Sequence, residues 1–345
     1  MKASYKFIQL VFKNPSGTSR GILKTKDSWF LMLEHDGQEG VGECSLIYGL
    51  SIESRELIEQ KISLLCSLLN EGEEITPDFF DDCPSLLFAY ETALLNMQFE
   101  EPMKYFDCDF IKGKPIPING LIWMGEKSFM RDQIKAKIEE GFSCIKIKIA
   151  AIDFNDEVDL LKYIRTEFKE SDIQIRLDAN CGFDFSDASE KLKILSAYNI
   201  HSIEQPISVG MHAKMNALCQ KSPIDIALDE ELIKVCSLED KIDTLKNIMP
   251  QYIILKPGLI GGIAHAEEWI NEAEKLGIKW WITSALESNV GLNAIAQWTS
   301  SLNTTMPQGL GTGKLFKMNI PSPLDIKNGY LHYDPNWESI FKTDI

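Results

Sequence analysis

Five polar residues recur at nearly even intervals along the second half of the chain, and each ends a short run of apolar, often β-branched residues. They are Lys148, Asp178, Glu204, Asp229 and Lys256. Their separations of about 25 to 30 residues match the length of one strand followed by one helix. Each residue is therefore predicted to end a successive strand of a parallel barrel. Because the carboxyl ends of such strands meet at one rim, the five side chains are predicted to lie together.

Lys146 is predicted to join this group, because positions two apart on a strand face the same way. Asn180, two residues beyond Asp178, is predicted to share the face of that aspartate. A lysine acts as a base when burial or a neighbouring cation lowers its pKa, and Lys146 is such a neighbour for Lys148. The rim is therefore suited to removing a proton from a carbon next to a carboxylate.

The three rim carboxylates are predicted to be metal ligands, namely Asp178, Glu204 and Asp229. Mg²⁺ prefers oxygen ligands and leaves coordination positions for a substrate carboxylate. Taken alone, each residue has a simpler explanation, such as an exposed strand edge or a helix N-cap. A buried ion-pair network without catalysis also stays open. The recurrence on consecutive strand-plus-helix units favours the metal site.

The composition limits the kinds of partner. The chain has 345 residues and a formal net charge of -16, with no Lys/Arg-rich run, so nucleic acid is an unlikely partner and a small-molecule carboxylate is the expected substrate. No apolar run reaches membrane-spanning length, which predicts no membrane association. The eight cysteines are scattered without a C-x-x-C pair, which predicts a reduced, cytoplasmic protein. The oligomeric state is left open.

The pattern divides the chain into two domains. Residues 1–112 are predicted to form an α+β capping domain, with strands at 5–12, 21–23, 28–34 and 41–44 before two helices. A polar, proline-containing linker begins at residue 112. Residues 113–315 are predicted to form the catalytic barrel, and the tail 316–345 to pack back on the first domain. The predicted barrel strands are 118–123, 144–149, 173–178, 200–204, 224–229, 252–256, 279–284 and a weaker 305–309.

At this point the chain resembles the enolase superfamily, specifically its muconate-lactonizing-like subgroup. The matching motifs are Lys146-Ile-Lys148, Asp178-Ala-Asn180, Glu204-Gln-Pro206, Asp229-Glu230 and Lys256-Pro-Gly258. The resemblance implies an α/β fold, a modified (β/α)7β TIM-like barrel with an N-terminal α+β capping domain. It also implies Mg²⁺ on the three carboxylates, for which Mn²⁺ can substitute. Lys148 would then be the first base, and Lys256 would lie on the opposite face of the substrate.

Further loop motifs resemble the o-succinylbenzoate synthase family of menaquinone biosynthesis. They are Gly17-Thr-Ser19-Arg20-Gly, Gly42-Glu-Cys-Ser-Leu, the run from Ile118 to Gly125, Ser284-Ala-Leu-Glu-Ser288 and Gly309-Leu-Gly311-Thr312-Gly313. The resemblance implies a lyase that removes water from 2-succinyl-6-hydroxy-2,4-cyclohexadiene-1-carboxylate. It also implies substrate contacts from Ser19, Arg20, Asn180, Ser284, Gly311 and Thr312.

Three other functions are considered. A dipeptide epimerase of the same superfamily typically holds the substrate ammonium with an Asp-x-Asp, but this place reads Ser284-Ala-Leu286. A buried ammonium without a partner is costly, which disfavours such a substrate. An N-acylamino acid racemase stays open, because its substrate lacks that charge. A non-catalytic binding barrel is the remote alternative.

Overall fold

Three antiparallel strands and two helices form the N-terminal part of the computed structural model, which describes residues 1–18, 21–123 and 125–337. The elements are β1 (Lys2–Thr18), β2 (Gly21–His35), β3 (Gln38–Leu46), α1 (Arg55–Glu71) and α2 (Pro84–Asn96), and the sheet order is β1-β2-β3. Alternate residues of β2 face different cores. Trp29, Leu31 and Leu33 pack with α1 and α2, whereas Phe30 packs with the barrel. This sheet therefore joins the helices to the barrel.

The segment predicted as two strands, 21–23 and 28–34, is one strand, β2. Between the two predicted strands, Lys26 and Asp27 are 3% and 1% exposed. The Asp27 carboxylate accepts hydrogen bonds from Gln9, Tyr48 and Arg55. Buried polar groups are tolerated in a strand when they have such partners.

Seven parallel strands form the larger sheet, as the strand-plus-helix spacing predicts. They are β5 (Gly120–Ile122), β6 (Cys144–Lys148), β7 (Gln174–Asp178), β8 (Ile200–Glu204), β9 (Asp225–Leu228), β10 (Tyr252–Leu255) and β11 (Lys279–Ile282). Each is hydrogen-bonded to its neighbour in chain order. Their mainly buried aliphatic residues are typical of parallel strands that are covered on both faces.

Helices follow the strands and cover the sheet. They are α3 (Lys127–Glu139), α4 (Phe154–Glu167), α5 (Phe185–Leu195), α6 (His212–Lys221), α7 (Leu238–Ile248), α8 (Pro257–Ile260), α9 (Gly262–Lys275) and α10 (Asn289–Ser301). Three of them begin at a side chain that caps a backbone N–H, namely Asp153, Ser237 and Ser288. Among the described residues, no helix combines the length and the apolar character that crossing a membrane requires.

The eighth barrel segment, predicted at 305–309, is reduced to two bridging residues. Gln308 bridges to Ile118 and Gly309 bridges to Thr283, both in parallel. The Gln308 N–H donates to the Pro117 carbonyl, and the Gly309 N–H donates to the Ile282 carbonyl, each at 2.8 Å. These bonds join the two edges of the seven-stranded sheet and close the barrel.

The C-terminal segment contacts both parts of the molecule. Strand β12 (Leu324–Lys327) pairs with β13 (Tyr330–Tyr333), and β13 pairs with β4 (Ile116–Pro117), which directly precedes the first barrel strand in the chain. Phe316 bridges to Phe12 of β1, and the Lys317 N–H donates to the Val11 carbonyl at 2.8 Å. The division of the chain at residues 112 and 315 stays a prediction.

Candidate active site

The predicted rim residues lie together because the register of the parallel strands places them side by side. Lys148 is opposite Asp178, and Asp178 is opposite Glu204, across β6, β7 and β8. Asp229 directly follows β9, and Lys256 directly follows β10. All five residues are therefore at the carboxyl ends of their strands, where barrel enzymes place their catalytic groups.

Two lysines from β6 share the Asp178 carboxylate. Lys148 Nζ donates to Asp178 Oδ2 at 3.0 Å and to Asn180 Oδ1 at 2.5 Å. Lys146 Nζ lies 3.0 Å from Asp178 Oδ2 and 2.5 Å from Glu204 Oε2. The predicted common face of Lys146, Lys148 and Asn180 is confirmed. Because two carboxylates compensate the Lys146 charge, its suggested effect on Lys148 stays a prediction.

The third lysine binds a different carboxylate. Lys256 Nζ donates to Asp229 Oδ2. The adjacent Glu230, 6% exposed, accepts a hydrogen bond from Asn180 Nδ2 at 3.1 Å. Glu230 thus places a fourth carboxylate at the rim. Sequence reasoning included it in a motif without a role, although its position directly after a rim aspartate was the available signal.

The charges of the rim shift one another's pKa values. Burial would raise the pKa of Asp178, but Lys146 and Lys148 hold it below its usual range. Burial and the neighbouring Asp178 carboxylate raise the pKa of Glu204 well above its usual range. Burial would lower the pKa of Lys256, but Asp229 and Glu204 outweigh that effect and raise it. Strongly perturbed groups of this kind cluster at functional sites.

The oxygen-rich rim fits a hard divalent cation. Asp178, Glu204 and Asp229 are 1 to 2% exposed, and buried Glu204 Oε1 has no hydrogen-bond partner among the residues that the structure describes. Within the described ranges, no three His, Cys, Asp or Glu side chains already converge on one point. The lysine ammonium groups hold the carboxylates instead. The donor set is therefore suitable for Mg²⁺, and the carboxylates would exchange ammonium partners for the ion.

A cavity of about 120 Å³ opens beside these lysines. It is lined by residues of the barrel and by residues in and after the three-stranded N-terminal sheet β1-β2-β3, the capping sheet. The predicted contacts Asn180, Ser284, Gly311 and Thr312 are among the lining residues, as are Lys146, Lys148, Asp178 and Lys256. Ser19 and Arg20 lie outside the described residues. A larger groove of about 780 Å³ runs along the capping sheet, but no rim residue lines it.

Several lining residues were not predicted from the sequence. Leu23 and Tyr48 reach the cavity from the capping sheet and the loop after it. Asn119 lines it from the position directly before the first barrel strand, and its buried Oδ1 has no partner in the described part of the chain. Asn119 lies in the run from Ile118 to Gly125 that resembles the family, but no role was predicted for it. Neither Leu23 nor Tyr48 gives a sequence signal, because each looks like an ordinary apolar residue of a strand or loop.

Comparisons with known proteins identify the family. A family model described as enolase C-terminal domain-like matches residues 129–336. An o-succinylbenzoate synthase from Desulfotalea psychrophila is 46% identical over 96% of this chain and 98% of that protein. The chain belongs to the o-succinylbenzoate synthase family of the enolase superfamily. The predicted family, fold class and enzyme class, a carbon–oxygen lyase, are thereby confirmed.

Solved structures agree with this membership. The crystal structure of MenC from Desulfotalea psychrophila is 43% identical, covers 96% of this chain and 99% of that chain, and gives a TM-score of 0.87. A dipeptide epimerase from Enterococcus faecalis, complexed with Mg and the dipeptide L-Leu-L-Tyr, gives a TM-score of 0.82 over 96% of each chain. At 19% identity, the epimerase supports the fold alone. Enzymes of this superfamily use Mg²⁺.

Proposed function

We propose that this o-succinylbenzoate synthase family member dehydrates 2-succinyl-6-hydroxy-2,4-cyclohexadiene-1-carboxylate to 2-succinylbenzoate, the reaction of menaquinone biosynthesis that its family performs. The observation that carries the proposal is that Lys148 and Lys256 line one cavity while different carboxylates, Asp178 and Asp229, bind them. Uncharged Ser284 and Leu286 line the same cavity. This combination supports proton removal from an anionic substrate that lacks an ammonium group.

Lys148 is proposed as the base and then the acid. In its neutral form it takes the proton from the carbon next to the substrate carboxylate. The electron pair of that C–H bond forms a ring double bond as the C–O bond to the hydroxyl breaks. The departing oxygen receives the proton from Lys148 and leaves as water, which balances the reaction. Asn180 Oδ1, at 2.5 Å from the ammonium nitrogen, orients the side chain.

The remaining rim residues stabilise charge. Asp178, Glu204 and Asp229 would hold Mg²⁺, or Mn²⁺ in its place. When bound, the ion would supply positive charge next to the carboxylate of the reacting substrate. Lys256 keeps its ammonium near the developing aromatic ring, where a desolvated cation–π contact contributes up to about 2 kcal/mol. Lys256 therefore contributes charge rather than proton transfer in the dehydration.

Racemisation of N-acylamino acids is the second candidate, and the same two lysines favour it. An enzyme of that kind needs an acid or base on each face of the substrate carbon, and Lys148 and Lys256 both reach the cavity. A related N-succinylamino acid racemase from Amycolatopsis is 27% identical over 58% of this chain. The two functions differ in one requirement. If this chain is a racemase, Lys256 must itself transfer a proton.

An ultraviolet assay for aromatic product, with the cyclohexadiene substrate and Mg²⁺, tests the proposal. Activity should disappear with EDTA and return with Mg²⁺ or Mn²⁺; full activity after exhaustive chelation would reject the metal assignment. Lys256→Arg keeps the cation but is a very poor proton donor, so it should dehydrate faster than Lys256→Ala and fail at racemisation. Fast α-hydrogen exchange of an N-acylamino acid in D₂O, without dehydration, would make the racemase the better assignment.

A further inference from the structure

A buried polar cluster connects the capping sheet to the loop between β11 and α10. This junction cluster consists of Lys26, Ser28, Glu43, Glu287 and Ser288, each 3% exposed or less. The first two belong to β2 and Glu43 belongs to β3, whereas the last two belong to the loop. None of these side chains lines the cavity or contacts the rim lysines in the described residues. Their charges therefore need an explanation other than catalysis.

Glu43 binds the first turn of α10 with both carboxylate oxygens. Its Oε1 accepts from Ser28 Oγ and from the Ser288 N–H, both at 2.8 Å. Its Oε2 accepts from Ser288 Oγ at 2.5 Å and from the Gly291 N–H at 2.9 Å. A carboxylate that accepts backbone N–H groups at a helix N-terminus makes strong, charge-assisted bonds. The start of α10 is thus fixed to the capping sheet.

Lys26 and Glu287 bind the backbone of Ala285, which lies three residues before the N-cap Ser288 of α10. Lys26 Nζ donates to the Ala285 carbonyl, and Glu287 Oε2 accepts from the Ala285 N–H at 2.7 Å. Both backbone polar groups of Ala285 are therefore bound by charged side chains. Burial lowers the pKa of Lys26, and the opposite charges of Glu287 and Glu43 counteract that shift. The cluster thus places one buried cation beside two buried carboxylates.

The held segment includes a backbone conformation that L-residues rarely adopt. Leu286 has φ +61°, in the left-handed region, although its side chain is branched and bulky. Its N–H donates to Ser284 Oγ at 3.3 Å, and both residues line the cavity. Leu286 also packs with Leu23 against an apolar cluster formed by Leu10, Phe12 and Phe316. A strained conformation persists only where its surroundings fix it.

We propose that Lys26 and Glu43 are positioning residues, which hold the segment from Ser284 to Ser288 in its strained conformation and thereby set the shape of the substrate cavity. Through these two side chains, the capping sheet then controls the position of cavity-lining residues that belong to the barrel. Without these two side chains, Leu286 relaxes away from the cavity. The substrate then loses contacts that stabilise its ground state and its transition state equally. A loss of that kind raises KM and leaves kcat nearly unchanged.

Lys26→Met tests the proposal with an uncharged side chain of similar length. KM for the cyclohexadiene substrate should rise about ten-fold or more, with kcat within about three-fold of wild type. Lys24→Met, at an exposed position of the same strand, is the matched control and should change neither constant. Unchanged KM in Lys26→Met, or a loss confined to kcat, would overturn the proposal. Should Lys26→Met not fold, Glu43→Gln takes its place, since an amide cannot accept hydrogen bonds at both ends.

A double-mutant cycle tests whether Lys26 acts through Leu286. Leu286→Gly removes the cavity side chain and the strain together, because glycine adopts positive φ freely. It should raise KM, and adding Lys26→Met to it should raise KM by less than about two-fold more. Fully additive effects of the two substitutions would show that Lys26 does not act through Leu286, and would overturn the proposal.

Hydrogen exchange supplies a readout that does not depend on turnover. The proposal rests on the proposed function for its substrate, but the held segment can be measured in the protein alone. Peptides covering residues 283–291 should exchange at least ten-fold faster in Lys26→Met than in wild type, whereas peptides covering β10 should not change. Equal exchange in both proteins would overturn the proposal. Wild-type protein without dehydratase activity would instead reject the proposed function, and the exchange comparison would still decide the positioning role.

Discussion

The barrel stabilises buried charge in different ways at its rim and in the interior below the rim, which is termed the base. At the rim, three lysine ammonium groups bind carboxylates, as Lys146 does with Asp178 and Glu204. At the base, Arg176 lies in the middle of β7, two residues before Asp178, and is 1% exposed, with its guanidinium 4.2 Å from the centre of a Trp281 ring. Its Nη1 donates to the Pro307 carbonyl at 2.8 Å. The rim thus pairs charge with charge, whereas the base pairs one cation with an aromatic face and a backbone carbonyl.

This difference separates binding from packing. Charged groups that are held by other charged groups can exchange those partners for a metal ion or a substrate without leaving a cavity behind. Arg176 has no such exchange available, because its contacts are a ring and a carbonyl that belong to the barrel itself. Changes at the rim should therefore affect turnover, and changes at the base should affect the free energy of unfolding. Substitutions at the rim and at the base, made separately, test this division.

The largest effect is expected at the rim. Lys148→Ala should lower kcat by about 10³-fold or more, because positioned general acid–base catalysis contributes about 10² to 10⁴-fold and no other group near the proton replaces it. The same substitution should leave the melting temperature nearly unchanged. Steady-state kinetics and thermal unfolding of one preparation measure both quantities.

Lys146→Ala is the matched control for this prediction, since it removes the other lysine of β6 that contacts Asp178. It should retain a measurable rate well above that of Lys148→Ala. Equal and complete loss of activity in the two variants would contradict the assignment of Lys148 as the group that transfers the proton.

The next effect is expected at the base. Arg176→Ala should lower the free energy of unfolding by about 3 kcal/mol, because it removes the side chain that packs on Trp281 and leaves a cavity. The kcat/KM of the variant should stay within about two-fold of wild type. Urea unfolding measures the first quantity, and the aromatic-product assay measures the second.

Arg176→Met separates volume from charge at the same position. It preserves most of the packing and removes a cation whose Nε and Nη2 have no partner in the described residues. Removing an incompletely paired buried charge costs little, so this variant should lose less than about 1 kcal/mol. A loss as large as that of Arg176→Ala would show that the charge, and not the packing, stabilises the base.

The sequence predicted the parts of the fold that depend on repetition. Asp178 and Glu204 could be placed because parallel strands of equal spacing bring their carboxyl ends to one rim. The continuity of β2 through Lys26 and Asp27 was not predicted, since the partners that make the burial of these residues possible are far away along the chain. The eighth barrel segment was only weakly indicated, because closure depends on a few backbone hydrogen bonds of Gln308 and Gly309 rather than on a pattern of side chains.

The same reasoning explains what the sequence indicated about the site. The lysines and carboxylates were identified by type and spacing, which chemistry constrains strongly. Leu23 and Asn119 were not identified as site residues, because their place beside the cavity depends on how the two parts of the chain pack. The left-handed conformation of Leu286 gives no sequence signal, since glycine is the residue that usually marks such a position.

Glu91 of α2 differs from the rim carboxylates, because a helix N-terminus and not a cation binds it. Its Oε2 accepts from the Ile263 N–H at 2.7 Å, in the first turn of α9. Gly262 allows this approach, since a Cβ there would lie 2.0 Å from Glu91 Oε2. Burial nevertheless raises the pKa of Glu91 to about 7, and the N–H donors counteract only part of that shift.

The effect of Glu91→Gln on the free energy of unfolding should depend on pH. The folded protein binds a proton at Glu91 up to about pH 7, whereas the unfolded chain releases it near the ordinary glutamate pKa of 4.5. Wild-type stability from this group is therefore lost as pH rises between these values, by up to about 3 kcal/mol. The glutamine variant does not titrate, so its stability relative to wild type should increase over this range and level off above it. Urea unfolding at several pH values measures the difference, with Glu190→Gln, at an exposed helix position, as the flat control. A difference in the free energy of unfolding between Glu91→Gln and wild type that stays constant from pH 4.5 to 8 would show that Glu91 is ionised in the folded protein throughout. The helix N-terminus would then stabilise the charge of Glu91 as well as the lysines stabilise the carboxylates of the rim.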